Sequence, residues 1–138
     1  MDRINDISFE IGEKLVVILE HQSTINPNIA LRILLYIGRI YEKIIEDENI
    51  YSTKKILIPK PEFYVLYNGL APFPDQKTVK LSDLFENTES LELPDEDSFL
   101  DLKVKIININ EGKNAAIARK CQTLAHYNAF IAKVTKTP

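Results

Sequence analysis

One short stretch near the start of the chain constrains the fold more than any other. Residues 15–19 read LVVIL, so a strand there would be apolar on both of its faces. Such a strand is typical of the interior of a sheet that other elements cover on both sides. We therefore expect a central strand from Lys14 to Gln22 in an α/β domain.

The residues before this stretch predict a partner strand. Ile7, Phe9 and Ile11 alternate with polar residues, which is the period-two pattern of a half-buried strand. Gly12-Glu13 then supplies a short turn. We expect a hairpin formed by this strand and the central one.

The residues after the central strand predict a helix from Pro27 to Ile45. Asn26 is a good N-cap, and proline is tolerated in the first helical turn. The segment is apolar nearly all round, so we expect the helix to be largely buried. Its polar residues at helical spacing share one face. They are Arg32, Tyr36, Arg39 and Lys43.

The rest of the chain predicts further strands and one more helix. Glu62 to Tyr67 is a strong strand pattern that ends at Asn68-Gly69, and Val79 to Phe85 fits a short strand or a turn of helix. We expect residues 87–98 to form an acidic surface loop and Asn114 to Val134 to form an amphipathic helix. No linker divides residues 1–138, so we expect a single domain.

We also predict a strand from Leu100 to Asn110. Its inner face would carry Leu100, Leu102, Val104 and Ile106. The apolar phase shifts by one residue at Ile107, which suits a bulge or the end of the strand.

Composition narrows the class of protein. The chain has 138 residues, a net charge of −3 and one cysteine, so it contains no internal disulfide. It has no apolar run of about 18 residues and no apolar signal region at its start, so we expect no membrane span and a cytoplasmic location. The negative charge counts against tight, non-specific binding of DNA by the monomer, although basic residues can be concentrated locally.

Three polar residues at the ends of the first two predicted strands are candidates for chemistry. Thirteen residues separate Asp6 from Glu20, which is enough for two short strands and a turn to bring the carboxylates together. Glu20 and Gln22 are two residues apart and therefore project from the same face of a strand. Two converging carboxylates can hold Mg²⁺. The spacing alone is a weak pattern, since two solvated carboxylates at a sheet edge would produce it as well.

Several segments of the chain resemble one known family. In chain order they are NDI at 5–7, EHQST at 20–24, NP at 26–27, LRILLY at 31–36, PEFYVLYNG at 61–69 and KLSDLF at 80–85. They resemble the Rpn group of recombination-promoting nucleases, also described as transposases, within the PD-(D/E)XK nuclease superfamily. The resemblance extends from Asn5 to about Val134, and the strand from Val104 to Asn110 is its least distinctive part.

The resemblance implies a restriction-endonuclease-like mixed sheet flanked by helices, and a Mg²⁺-dependent endonuclease that acts on DNA. Asp6 and Glu20 would be the metal ligands. Gln22 would occupy the position of the lysine in the superfamily's name, and Arg32 would supply the positive charge that an amide lacks. Alternatively, Arg32 has no role in the site, and its side chain simply extends along the helix to place its charge in solvent.

The resemblance also implies a helix before the first strand, often with another acidic residue. Only five residues precede Asp6, too few for that helix, so we expect the first superfamily helix to be missing. The alternative function is therefore a catalytically inactive homologue. It would act as a regulatory or dimerisation partner, in a homo-oligomer or with a longer homologue.

Overall fold

The computed structural model describes residues 7–94, 96–110 and 135–136. These residues form an α/β fold in which one mixed sheet carries a helix on one face. The strands are β1 (Ile7–Ile11), β2 (Leu15–Gln22), β3 (Lys60–Tyr67), β4 (Gln76–Lys80), β5 (Lys103–Asn108) and β6 (Thr135–Lys136), and the helix is α1 (Ile29–Ile44). The sheet order is β4-β5-β3-β2-β1-β6.

The predicted hairpin is confirmed. Strands β1 and β2 are antiparallel, with Ile11 opposite Leu15 and Ile7 opposite Leu19. The turn between them places Gly12 at φ 56° and Glu13 at φ 58°, both in the left-handed region. Glycine reaches that region at little cost, which explains its position at the start of the turn.

Strand β2 lies inside the sheet, as its apolar sequence predicts. It pairs with β1 on one side and with β3, in parallel, on the other. Its four residues from Val16 to Leu19 are all buried. Strands β2, β3 and β5 run parallel, so their carboxyl ends meet at one edge of the sheet.

Helix α1 connects β2 to β3 and packs on one face of the sheet. Ile29, Ile33 and Ile37 are buried against side chains of the three parallel strands. Burial of each such side chain contributes about 1.5–3 kcal/mol. The predicted N-cap, Asn26, was wrong: Asn28 is the N-cap and α1 begins at Ile29. The Asn26 side chain instead accepts a hydrogen bond from the Asn28 amide in the turn before the helix.

The prediction that α1 is largely buried was wrong for one of its faces. Leu31 is 44% exposed and Leu35 is 53% exposed. These two residues are one helical turn apart, on the side away from the sheet. An apolar sequence indicates which faces a helix is able to bury, but it does not supply a neighbour for each of them.

The segment from residue 76 to residue 84 contains both of the alternatives that the sequence left open. Val79 and Lys80 end β4, and Leu81–Leu84 forms a 3₁₀ helix directly after it. The predicted acidic loop is exposed in its described part and contains one 3₁₀ turn, Glu89–Leu91.

Strand β5 is shorter than predicted and has no bulge. Residues 64–67 of β3 pair one to one with residues 105–108 of β5. Leu100 precedes the strand and is exposed, so its placement on the inner face was wrong. The apolar phase shifts at Ile107 because the end of β5 is buried on both faces, with Ile106 packed on the α1 side and Ile107 packed with Leu66 on the other.

The predicted final helix, Asn114 to Val134, lies outside the described residues. Within the described part of the chain, no helix is both long enough and apolar enough to cross a membrane.

Candidate functional site

Polar side chains gather at the edge of the sheet where the three parallel strands end. Gln22, Tyr67 and Asn108 lie side by side across β2, β3 and β5, in matching register. Because side chains alternate between the two faces of a strand, all three share the face that α1 covers, together with Glu20. Ligands of α/β proteins bind preferentially at the carboxyl edge of such strands.

Glu20 is the charged residue at the centre of this edge. It is only 3% exposed, although a carboxylate is costly to bury without partners. The Gln22 side-chain amide donates a hydrogen bond of 2.5 Å to Glu20 Oε2. The Gln22 side-chain oxygen, Oε1, in turn accepts a hydrogen bond from the Asn26 backbone amide, at 3.1 Å. Gln22 therefore ties the carboxylate to the turn that starts α1.

Arg32 reaches the same carboxylate from the first turn of α1. Its Nη2 atom lies 3.5 Å from Glu20 Oε2. The same nitrogen donates a hydrogen bond of 3.1 Å to the Tyr36 hydroxyl, one turn further along the helix. The Arg32 side chain is 23% exposed, so one end of this ion pair reaches solvent. The helix thus directs a cation at the carboxylate, and it does so beside water.

A tight loop after β3 closes the edge next to Gln22. The Asn68 backbone amide donates to the Gln22 backbone carbonyl oxygen at 3.1 Å. A Cβ atom at Gly69 would collide with the Ser23 carbonyl oxygen and would come within 2.5 Å of the Tyr67 hydroxyl oxygen. Only glycine fits there, because neither group has room to withdraw: the Ser23 oxygen is backbone, and the Tyr67 hydroxyl is fixed by its bond to Ala71 O at 2.7 Å.

Asn108 and Asn110 fasten the third strand to the same loop. The buried side chain of Asn108 donates from Nδ2 to the Phe73 carbonyl oxygen at 2.9 Å, and its Oδ1 accepts from the Asn110 backbone amide at 2.9 Å. The Asn110 side chain donates to the Gly69 carbonyl oxygen at 3.0 Å. Sequence reasoning missed these residues. The available signal was Asn108 itself, a polar residue at the end of a strand whose neighbours are apolar.

The structure brings together three of the four predicted site residues, Glu20, Gln22 and Arg32. Asp6 lies outside the described residues. The first described residue, Ile7, pairs with Leu19, the residue just before Glu20. Arg39 and Lys43, which were predicted to share a helix face with Arg32, are exposed further along α1.

The described residues supply only part of the ligand set that a Mg²⁺ ion needs. Glu20 supplies a carboxylate oxygen, which is the donor type that Mg²⁺ prefers, whereas Gln22 turns its amide nitrogen to Glu20 and its side-chain oxygen to the Asn26 amide. No group of three or more acidic, histidine or cysteine side chains among the described residues is arranged to hold a metal ion. A divalent cation at Glu20 therefore depends on a second carboxylate, which is the role predicted for Asp6.

Comparison with protein-family models, curated proteins and solved structures finds no match to this chain.

Proposed function

We propose that this protein is a metal-dependent endonuclease that hydrolyses phosphodiester bonds in DNA. One observation carries the proposal. The buried carboxylate of Glu20 lies at the carboxyl edge of the central strand, and both an amide, Gln22, and a guanidinium, Arg32, converge on it. Buried charged groups at such an edge are typical of functional sites.

The topology supports the finer fold assignment. An antiparallel hairpin, then a helix, then a strand parallel to the inner hairpin strand agrees with a restriction-endonuclease-like sheet. The acidic residue and the residue two positions later lie at the end of that inner strand, as the resemblance to the Rpn group implies.

Glu20 and Asp6 are the proposed ligands of Mg²⁺. Such an ion, when bound, lowers the pKa of a coordinated water and stabilises charge on phosphate oxygens. Gln22 holds the Glu20 carboxylate in one orientation through its hydrogen bond. A neutral amide can do this without competing with the cation for the carboxylate's charge.

Arg32 is the proposed phosphate-positioning residue. Its planar guanidinium carries five donors in a fork that matches phosphate geometry. Because its side chain is partly exposed, it can contact a substrate in solvent while its base is fixed on α1. It would supply the positive charge that the superfamily's lysine supplies elsewhere.

A second candidate function is that of a catalytically inactive homologue, which acts as a regulatory or dimerisation partner. The observation that favours it is the Glu20–Arg32 pair, because the guanidinium offsets the buried negative charge without any metal. In that case the network would be a structural connection between β2 and α1.

A plasmid-nicking assay separates the two candidates. We expect wild-type protein to nick supercoiled plasmid with Mg²⁺ and to lose this activity with EDTA, because the cation is removed. Asp6→Ala and Glu20→Gln should both be inactive, whereas Glu42→Gln, which removes an exposed carboxylate of α1, should cleave like wild type. If wild type and Asp6→Ala are equally inert at high protein concentration, the enzyme proposal fails and the second candidate stands.

A further inference from the structure

The face of the sheet opposite α1 carries a cluster of lysines. Val104 and Ile106 of β5 face the helix, so Lys103 and Lys105 project from the other face. Lys80 of β4 lies directly opposite Lys103 in the antiparallel pairing. Lys60, at the start of β3, projects from the same face. We call these four exposed residues, Lys60, Lys80, Lys103 and Lys105, the lysine face.

The lysine face borders a shallow depression. The depression has a volume of about 580 Å³, and its lining includes Lys60, Lys103 and Lys105 together with Tyr64 and Thr78. Thr78 and Tyr64 flank Lys105 on either side, in register across the sheet. The Thr78 hydroxyl adds a hydrogen-bond donor beside Lys105.

The lysine face has an excess of positive charge, because two carboxylates, Glu62 and Asp101, line the depression beside its four lysines. Both carboxylates keep their negative charge, since Glu62 accepts from the neutral Tyr64 hydroxyl at 2.8 Å and Asp101 from the neutral Ser82 amide at 2.9 Å. Lys80 interacts with Asp101. Among the described residues, Lys60, Lys103 and Lys105 form no ion pair.

The arrangement also has a cost in the sheet itself. Like charges directly opposite each other on neighbouring strands are destabilising, and Lys80 and Lys103 form such a pair. The chain as a whole has a net charge of −3, so the sign of the charge on the lysine face is opposite to that of the whole chain. A bound polyanion would remove the repulsion.

We propose that the lysine face binds the phosphate backbone of duplex DNA. The choice of DNA rests on the proposed function; the choice of a polyanion rests on the charge of the face. Exposed apolar side chains that could enter a lipid bilayer are not part of its lining, because Phe63 is buried and Leu102 is half-buried. This argues against an anionic membrane as the partner.

The lysine face would be a second contact with DNA, separate from Glu20. It lies on the opposite face of the sheet and near the amino ends of the parallel strands. The eight residues of β3, from Lys60 to Tyr67, span about 23 Å, because seven steps of about 3.3 Å separate the first from the last. Its lysines would therefore hold the duplex and would not touch the bond being cleaved.

Fluorescence anisotropy with a short labelled DNA duplex tests the proposal, in EDTA so that no cleavage occurs. We expect Lys103→Gln/Lys105→Gln to bind roughly tenfold more weakly than wild type. The slope of log affinity against log salt concentration should fall by about 2, because two fewer phosphate contacts release counterions. The matched control is Lys54→Gln/Lys55→Gln, which removes the same charge from the exposed segment before β3.

The control should bind and respond to salt like wild type. Equal weakening in both double variants would overturn the proposal, because net charge alone would then explain it. So would an unchanged salt slope, or binding to phosphatidylserine vesicles without binding to duplex. Circular dichroism should show that both double variants remain folded, since the four substituted lysines are all exposed.

The cleavage assay and the binding assay test the two proposals independently. Glu20→Gln should abolish nicking and leave duplex affinity unchanged. If the lysine face is needed for binding while no variant cleaves DNA, the proposed enzyme activity fails and this inference stands. If wild type cleaves but the Lys103→Gln/Lys105→Gln variant binds like the control, this inference fails alone.

Discussion

Replacing Arg32 with methionine removes the guanidinium that lies 3.5 Å from the buried Glu20 carboxylate. Methionine keeps an apolar stem of similar length, so the change isolates the charge. Removing one partner from a fully buried ion pair costs about 3–5 kcal/mol, because the other charge is left uncompensated. Since the Arg32 side chain is 23% exposed, water can hydrate the vacated side. We therefore expect a loss of about 2 kcal/mol.

Urea unfolding followed by circular dichroism measures this loss, and a double-mutant cycle with Glu20→Gln assigns it. For a chain of this length we expect the midpoint of thermal unfolding to fall by about 6–10 °C. In the double variant the buried charge is gone, so the two losses should not add and the coupling energy should be about 1–2 kcal/mol. Arg39→Met, an exposed position on the same helix, should stay within about 0.5 kcal/mol of wild type.

The reasoning would be refuted if Arg32→Met unfolded at the same urea concentration as wild type. A coupling energy below about 0.5 kcal/mol would have the same meaning, because the two side chains would then contribute independently.

Three further predictions concern the packing and titration of the fold. Gly69→Ala should destabilise the protein by about 2–3 kcal/mol in urea unfolding, because the added Cβ collides with a backbone oxygen. The control Gly38→Ala, where no atom lies within 4 Å of the added Cβ, should be neutral or stabilise by up to about 1 kcal/mol. Equal effects of the two changes would contradict the packing at Gly69. Tyr41→Phe should lower the free energy of unfolding by about 1 kcal/mol at pH 7, because the hydrogen bond to the Pro59 carbonyl oxygen is lost. Since burial raises the pKa of Tyr41, wild type should lose stability relative to the variant as the pH rises above about 10. Parallel curves of stability against pH would argue against this. Hydrogen bonds from Ser82 and Leu102 lower the pKa of Asp101. The ionised carboxylate therefore stabilises the fold above its ordinary pKa, and this stabilisation is lost as the pH falls through the lowered value. Asp101→Asn should remove this part of the dependence of unfolding on acid pH, and an unchanged dependence would show that the bonds have no effect.

Local sequence patterns predicted β1, β2, β3 and β5 and the shared face of the site, but they missed β6 and the first part of β4. The run from Val16 to Leu19 indicated an interior strand because no exposed strand would be apolar on both faces. Strand alternation placed Glu20 and Gln22 together, and this inference depends on periodicity, which is a property of neighbouring residues. Arg32 was proposed from the resemblance alone, as the positive charge that Gln22 lacks.

Contacts between distant segments were beyond such reasoning. Gly69 is required because Ser23, which is 46 positions earlier in the sequence, comes against it, and no local pattern encodes that approach. Asn108 holds the Phe73 carbonyl oxygen for the same kind of reason. The exposure of Leu31 and Leu35 was mispredicted because burial depends on what packs against a helix as well as on its own residues.

The central claim is that Glu20 acts with Asp6 to bind one divalent cation. Isothermal titration calorimetry with Mg²⁺ tests it directly, on wild type, Glu20→Gln, Asp6→Asn and the exposed control Glu42→Gln. The account predicts one ion per chain for wild type and the control, and no binding by the other two variants. Binding by Glu20→Gln with the stoichiometry and affinity of wild type would contradict it, as would a wild-type protein that binds no ion.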